Sequence, residues 1–237
     1  TKGAYPTAAS LKNYKTYQKK DLYVFNGGGN VLSATLPIDN NRATADLYFS
    51  PVTRTEPNGD KTIDFVADLG NGKKVELIYT LPADDYMMRC NVVLTGIQAS
   101  SLPLTWNTSL LPTEKDLANE RMNTQVYYRN KDEDHDYFTV AAEEKTIDNK
   151  SNAPHWLGLR KQYFSTALIA DDGFSKMDSK FWYKDENKDV VAYNTATMML
   201  PMKPAGNINT ASMKWYIGPN DYKTLKSYKI DLDEMVP

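Results

Sequence analysis

Short alternations of apolar and polar residues run through this chain, broken at regular intervals by turn residues. Lys61–Asp68 sets Ile63, Phe65 and Ala67 against Thr62, Asp64 and Asp68, a period of two that marks a strand with one buried face. Gly70-Asn71-Gly72 then turns the chain into Lys74–Leu81, a hairpin signal. Tyr23–Phe25 and Val31–Leu36 flank the turn Gly27-Gly28-Gly29-Asn30. Leu47–Phe49, Tyr86–Gly96 and Leu102–Leu110 continue the series. Further strands are predicted over Thr124–Arg129, Tyr137–Ala142, Trp156–Gly158, Gln162–Ala170, Phe174–Tyr183, Val190–Leu200 and Ile208–Ile217. Many short strands spaced by turns define an all-β sandwich or barrel. Helical spacing occurs twice. Thr113 caps a segment reaching Arg121, with Asp116 three residues on. The second segment opens on Pro219 and runs to about Tyr228, with Tyr222 and Leu225 on one face and Lys223 and Lys226 outside.

Length and composition narrow the picture. A sandwich of 237 residues is large enough to bury its core without staples, and no Pro/Ser/Gly-rich linker divides it, so residues 1–237 read as one domain. The formal charge of −2 lacks the basic excess of a nucleic-acid binder. The longest apolar runs, such as Leu22–Phe25, fall far short of the roughly 20 residues a spanning helix needs. No signal peptide is visible, and a chain opening on Thr1 reads as a processed or excised product. Cys90 is alone, so no intramolecular disulfide forms, and its strand setting predicts an inert buried thiol.

Candidate chemistry is sparse. His135 and His155 match no metal spacing; His135 sits in the acidic run Asp132–Asp136, read as a solvated loop, and His155 enters a strand. Asp132, Asp134, Asp136 and Glu143 occupy calcium-loop positions 1, 3, 5 and 12, but Tyr137 stands where the turn needs Gly and the flanks read as strands. Asp185, Asn187 and Asp189 repeat the first three positions and read as a polar hairpin tip. Gly27–Gly29 lacks the Lys-Ser/Thr of a phosphate loop and predicts a bulge or close backbone approach. No nucleophile elbow and no cofactor motif occur, and no carboxylate sits in an apolar setting that raises its pKa. Asn107 and Asn149 begin glycosylation sequons, relevant only in a eukaryotic secretory route. Trp106, Trp156, Trp182 and Trp215 lie in strands and read as core. Lys2, Lys12, Lys15, Lys19 and Lys20 form a basic stretch read as a solvated edge.

Several segments together resemble the large periplasmic domain of the bacterial membrane protein insertase YidC, of the YidC/OxaA/Alb family. Lys2-Gly3-Ala4 with Leu11-Lys12-Asn13-Tyr14 resembles its opening hairpin, and Asp21–Leu32 (DLYVFNGGGNVL) the next stretch. Trp156–Phe164 is similar to the family's W-x-x-x-x-x-Q-Y-F stretch and Met213–Pro219 (MKWYIGP) to its closing W-x-G-P strand and turn. Asp231-Leu232-Asp233 resembles the segment before the membrane-embedded core.

The resemblance implies a large β-supersandwich, galactose mutarotase-like, with a short C-terminal helix packed on it at about 219–228. It also implies an initial strand upstream of Thr1. It implies a non-enzymatic periplasmic module of an inner-membrane protein, without cofactor, contacting Sec accessory components such as SecDF or nascent membrane proteins. The insertase core is absent from this sequence, and the two histidines match no mutarotase motif. A glycan-binding or glycan-processing domain on the same fold is the alternative, and a calcium-dependent adhesion module rests on Asp132–Glu143 alone. For a partner surface the residues offer Tyr127, Tyr128 and Arg129: adjacent strand tyrosines point to opposite faces, which leaves one available beside an arginine.

Overall fold

The computed structural model describes residues 1–130, 135–149 and 154–236. Its strands are β1 (Ala9–Lys15), β2 (Asp21–Phe25), β3 (Asn30–Leu36), β4 (Arg42–Ala43), β5 (Ser50–Thr55), β6 (Lys61–Gly70), β7 (Lys73–Leu81), β8 (Met87–Thr95) and β9 (Ser101–Leu110). After helix α1 (Leu117–Met122) come β10 (Gln125–Asn130), β11 (His135–Thr139), β12 (Lys145–Asn149), β13 (Pro154–Arg160) and β14 (Phe164–Ala170). Then follow β15 (Lys176–Trp182), β16 (Ala192–Pro201), β17 (Lys203–Ala205) and β18 (Ile208–Pro219). Helix α2 (Tyr222–Ser227) and a 3-10 turn, Leu232–Met235, end the chain.

The strands form a large sheet in the order β11-β10-β13-β14-β18-β8-β7-β6-β5, with β17 beside β18, and a second sheet in the order β12-β15-β16-β9-β3-β4; β1 and β2 pair separately. The two sheets meet in one apolar cluster, to which Trp106 of β9 and Trp215 of β18 each contribute a fully buried indole. Their rings meet edge to face at 5.9 Å, and Phe25 of β2 stacks on Trp215 at 5.8 Å. Both indole N–H groups are satisfied, Trp106 by Asn30 Oδ1 at 3.1 Å and Trp215 by Thr166 Oγ1 at 2.8 Å, as burial demands. The molecule is all-β, as the alternation predicts, and takes the supersandwich form that the family resemblance implies.

A smaller cluster lies on the outer face of the large sheet. Met87, Tyr127, Trp156, Ile169 and Tyr216 meet Leu225 of α2 and Leu232 and Met235 of the last turn. The C-terminal segment is therefore a strap docked on the sheet, fixed by the Trp156 indole N–H donating to Ile230 O at 3.0 Å. Gly158 of β13 leaves the space that the Met235 sulfur fills.

Some details differ from the sequence reading. Helix α1 starts at Leu117 and is capped by Asp116, whose carboxylate accepts from the Asn119 N–H at 3.0 Å; Thr113 instead bonds to Glu120. Asp221 caps α2, while Pro219 ends β18. On α2 only Leu225 turns inward, and Tyr222 is 47% exposed. A helix of six residues presents fewer than two turns, so three-residue spacing does not fix a shared face. Leu47–Phe49 is no strand; Tyr48 makes an isolated bridge to Lys2. Gly27–Gly29 forms a 3-10 turn, and a side chain at Gly29 would press on Ser109, the close approach its glycine predicts. The polar strand β5 and the short β4, β12 and β17 carry too little apolar signal to be read from sequence.

Candidate functional site

The residues expected to carry chemistry do not converge. Tyr127 is buried in the strap cluster, its ring stacked on Tyr137 at 4.9 Å and on His135 at 5.8 Å. Tyr128 points to the other face, half-buried against the main core, and its hydroxyl donates to Asp136 Oδ2 at 2.8 Å. Arg129 bonds to Glu234 and lies 3.2 Å from Asp231, tying β10 to the strap. His135, read as part of a solvated loop, begins β11 and lies 3.2 Å from Glu234. Pairing of β11 along β10 sets His135 opposite Arg129 and places its imidazole beside the strap. His155 is half-buried; burial and the nearby Lys214 charge hold its pKa below the usual 6.5.

Asp132 and Asp134, and with them the calcium reading of Asp132–Glu143, lie outside the described residues, as does part of the Asn149 sequon. Among the described residues no group of three acidic, histidine or cysteine side chains is placed to hold a metal. At the Asp185–Asp189 tip the Arg121 guanidinium donates to the turn's carbonyls: Asn187 O at 2.8 Å, Val190 O at 2.9 Å and Lys184 O at 3.1 Å. Cys90 is buried, and burial pushes its thiol pKa up, away from nucleophilic use. Trp106, Trp156 and Trp215 are core; Trp182 stacks on Tyr193 at 5.6 Å. In the basic stretch, Lys2 pairs with Asp46 at 3.3 Å and Lys15 with Asp21 at 2.6 Å on the exposed surface.

Two carboxylates do lie in settings the sequence hid. Glu120 is wholly buried against Lys161, because α1 folds over the β13–β14 turn. Asp64 on β6 has a buried Oδ1 without a hydrogen-bond partner, and burial followed by the Glu76 charge raises its pKa. Only tertiary packing decides either environment.

What the fold builds is an open groove near the β5–β8 end of the large sheet. Inward positions of β6, β7 and β8 supply Ile63, Phe65, Tyr79, Leu81 and Met88, and Tyr5 and Pro6 form a wall. The groove holds about 620 Å³. The Tyr79 hydroxyl donates to Ala4 O at 2.7 Å and so tethers that wall to the floor. Arg54 and Lys61 put positive charge on the rim. A second hollow of about 560 Å³ shares Pro6, Leu81 and Met88 and runs beneath β1 toward Trp215 and Ile217. Its lip, the 82–85 loop, is held by Asp60, which accepts from the Ala83 N–H at 3.2 Å and from Arg89 Nη2 at 2.9 Å. Burial opposes ionisation of Asp60, but these donors and Asn58 outweigh it and keep its pKa below the usual carboxylate value. Apolar walls 51% exposed at Leu81, with threonines and two cations at the rim, suit contact with an apolar chain segment.

Fold and groove together define a β-supersandwich domain with an open, largely apolar groove at one end of its large sheet. The family model for the YidC periplasmic domain matches residues 1–237, and the chain belongs to that family. It is 29% identical over 255 residues to the membrane protein insertase YidC of Parabacteroides distasonis, covering 100% of this chain and 39% of that protein. It is 27% identical over 256 residues to the membrane protein insertase YidC of Porphyromonas gingivalis, again covering 100% and 39%. The chain thus spans 39% of the length of these curated relatives. Among solved structures it is similar to a galactose mutarotase related enzyme from Lactobacillus acidophilus, with a TM-score of 0.43, 9% identity and coverage of 78% of this chain and 77% of the other. No described helix is long and apolar enough to cross a membrane.

Proposed function

We propose that this domain is a non-enzymatic periplasmic module of an inner-membrane insertase, and that it assists insertion and folding by contacting emerging membrane proteins or Sec accessory components. Membership of the YidC periplasmic-domain family supports the setting, and the apolar groove supports the mode of action. The groove lining supplies apolar contact and two rim cations rather than a carboxylate pair or imidazole for acid–base work. Residues 1–237 act as one unit in this reading, because the strap shares a buried cluster with the large sheet. A separate contact is proposed at Tyr127, Tyr128 and Arg129 of β10, where Tyr128 is the half-exposed member.

The test uses photocrosslinking residues at Phe65, Leu81 and Tyr128 in the full-length protein, with stalled membrane-protein chains and Sec components present. Capture at the groove supports the reading. Capture nowhere on the domain, together with saturable binding of an oligosaccharide by the groove, would replace it with a glycan-binding function.

A further inference from the structure

Three exposed tyrosines gather at one end of the sandwich. Tyr17 is 50% exposed in the β1–β2 turn, Tyr163 53% in the β13–β14 turn and Tyr222 47% at the start of α2. Hydrogen bonds bring these turns together. The Tyr17 N–H donates to Thr113 O at 3.0 Å, and Thr113 Oγ1 accepts from Lys161 Nζ at 3.2 Å. The Asn220 N–H donates to Tyr163 O at 2.8 Å, and Asn220 Nδ2 donates to Lys161 O at 2.7 Å. Tyr14 of β1 meets Phe164 of β14 edge to face at 5.2 Å. In the large sheet β18, β8, β7 and β6 lie between β14 and β5, about 24 Å at ordinary strand spacing. The rim is thus remote from residues 1–3, which pair with 47–49 just before β5.

The same turns are rich in lysine. Over residues 15–21, 113–116 and 221–226 six lysines stand against four acids, in a chain whose formal charge is −2. Two of those acids, Asp116 and Asp221, turn an oxygen to the N–H groups they cap, and Asp21 pairs with Lys15 at 2.6 Å. Lys19, Lys20, Lys115, Lys223 and Lys226 are exposed and pair with no carboxylate among the described residues. Lys19 holds φ at 60°, so the turn keeps a cation where the backbone favours glycine. The three phenols are also poised to donate. Their oxygens accept from Gln18 Nε2 at 2.7 Å, Gln162 Nε2 at 3.1 Å and Lys226 Nζ at 2.5 Å. No acceptor among the described residues takes any of the three O–H protons.

We propose that this rim docks the domain on an anionic bilayer surface, with the three phenol rings at headgroup depth and the lysines over lipid phosphates. Tyrosine suits that layer because its ring is apolar and its hydroxyl is wet. Lysines close to an anionic surface add attraction there. A bound peptide is held in a groove or along a sheet edge, and neither hollow described above includes Tyr17, Tyr163 or Tyr222. Turn tips projecting from one end fit a planar surface instead. The inference rests on the insertase reading for the closeness of a bilayer and specifies how the domain is held against it.

The experiment uses the full-length protein in nanodiscs of phosphatidylcholine with about 30% phosphatidylglycerol, enough to give an anionic surface. An environment-sensitive fluorophore is placed on Tyr163→Cys, or on Ile208→Cys at the opposite end of β18; Cys90 is buried and stays unlabelled. At 163 the emission should shift to the blue and be quenched by a nitroxide carried on lipid; at 208 neither should occur. Phosphatidylcholine alone should give a smaller shift. On vesicles of the anionic mixture, partitioning of residues 1–237 should weaken about 25-fold in Lys19→Gln with Lys20→Gln, about fivefold for each lysine. Tyr17→Ala with Tyr222→Ala should weaken it as well. Both double variants should keep the parent's melting temperature, because those side chains are exposed. A fluorophore at 163 that stays in water in anionic nanodiscs, or variants that partition like the parent, overturns the proposal. So does a fluorophore already shielded in neutral detergent micelles, which would mean that protein covers the rim. Crosslinks from 163 that trap an acidic polypeptide, without lipid quenching, replace the bilayer with a protein partner. In each of those cases stalled chains that still crosslink at Phe65 or Leu81 leave the insertase reading standing. Lipid quenching at 163 with no stalled chain captured anywhere on the domain supports docking and defeats the client-contact reading.

Discussion

The ammonium of Lys161 stands 3.3 Å from Oε1 of Glu120, and both side chains are shut off from solvent. The pair is not left bare. Lys161 Nζ donates to Leu111 O at 2.7 Å and to Thr113 Oγ1 at 3.2 Å, and the Glu120 carboxylate accepts from the Thr113 and Glu114 N–H groups. Together they tie α1, the 111–114 segment and the β13–β14 turn. Burial lowers the Lys161 pKa, and Glu120 works against that shift. Lys161→Met or Glu120→Gln alone should cost about 3–5 kcal/mol in denaturant unfolding, because each strands a buried charge. The double change Lys161→Met with Glu120→Leu should cost less than the sum of the two single losses. Single losses below about 1 kcal/mol would show a pair no stronger than a surface ion pair.

The strap predicts a graded response along one short helix. Leu225→Ala and Leu232→Ala each remove a fully buried side chain and should cost about 2–5 kcal/mol. Tyr222→Ala, three residues from Leu225 but exposed, should stay within about 0.5 kcal/mol. Deleting residues 220–237 should lower the melting temperature and expose Trp156 to a fluorescence quencher. An unchanged melt would mean that the strap adds nothing to the fold.

His155 gives the domain an acid-sensitive component. Burial holds its folded pKa below the usual 6.5, so the unfolded chain takes up a proton first as pH falls. Its contribution to stability is therefore fully present above 6.5 and declines as pH falls from 6.5 through the folded pKa. Titrating the unfolding free energy from pH 7.5 to 5, an interval chosen around the ordinary imidazole range, should show this decline. His155→Gln should flatten it; an identical slope in the variant would assign the effect elsewhere.

Tyr79→Phe tests the groove wall. The change removes one buried hydrogen bond to Ala4 O and should cost about 1 kcal/mol. Its distinctive mark should be local: faster amide exchange at Gly3, whose N–H reaches Leu47 across the same segment. Unchanged exchange there would show that Tyr79 does not anchor residues 1–6.

Much of the sandwich was legible in the chain itself. Strands such as Lys61–Gly70 and Lys73–Leu81 announce themselves because one face must be buried and side chains alternate with a period of two. The ordered motifs at Asp21–Leu32, Trp156–Phe164 and Met213–Pro219 carry the family resemblance, and the family model bears it out over residues 1–237. Tyr127 and Tyr128 do face opposite sides, one buried and one half-buried, as adjacent strand residues must.

What the residues could not disclose is which surfaces meet. Glu120 and Lys161 lie 41 positions apart and read as ordinary surface charges until α1 folds over the β13–β14 turn. Arg129, read as a partner anchor, meets Asp231 and Glu234 only because the strap returns across the outer face of the sheet. β5 is polar on both sides, so alternation says nothing of it; its place at the end of the sheet, beside the groove, comes from pairing with β6. Local pattern fixes strand identity because burial is a property of each residue's own face. Ion pairs, docked straps and grooves depend on long-range register, which one strand's composition does not contain.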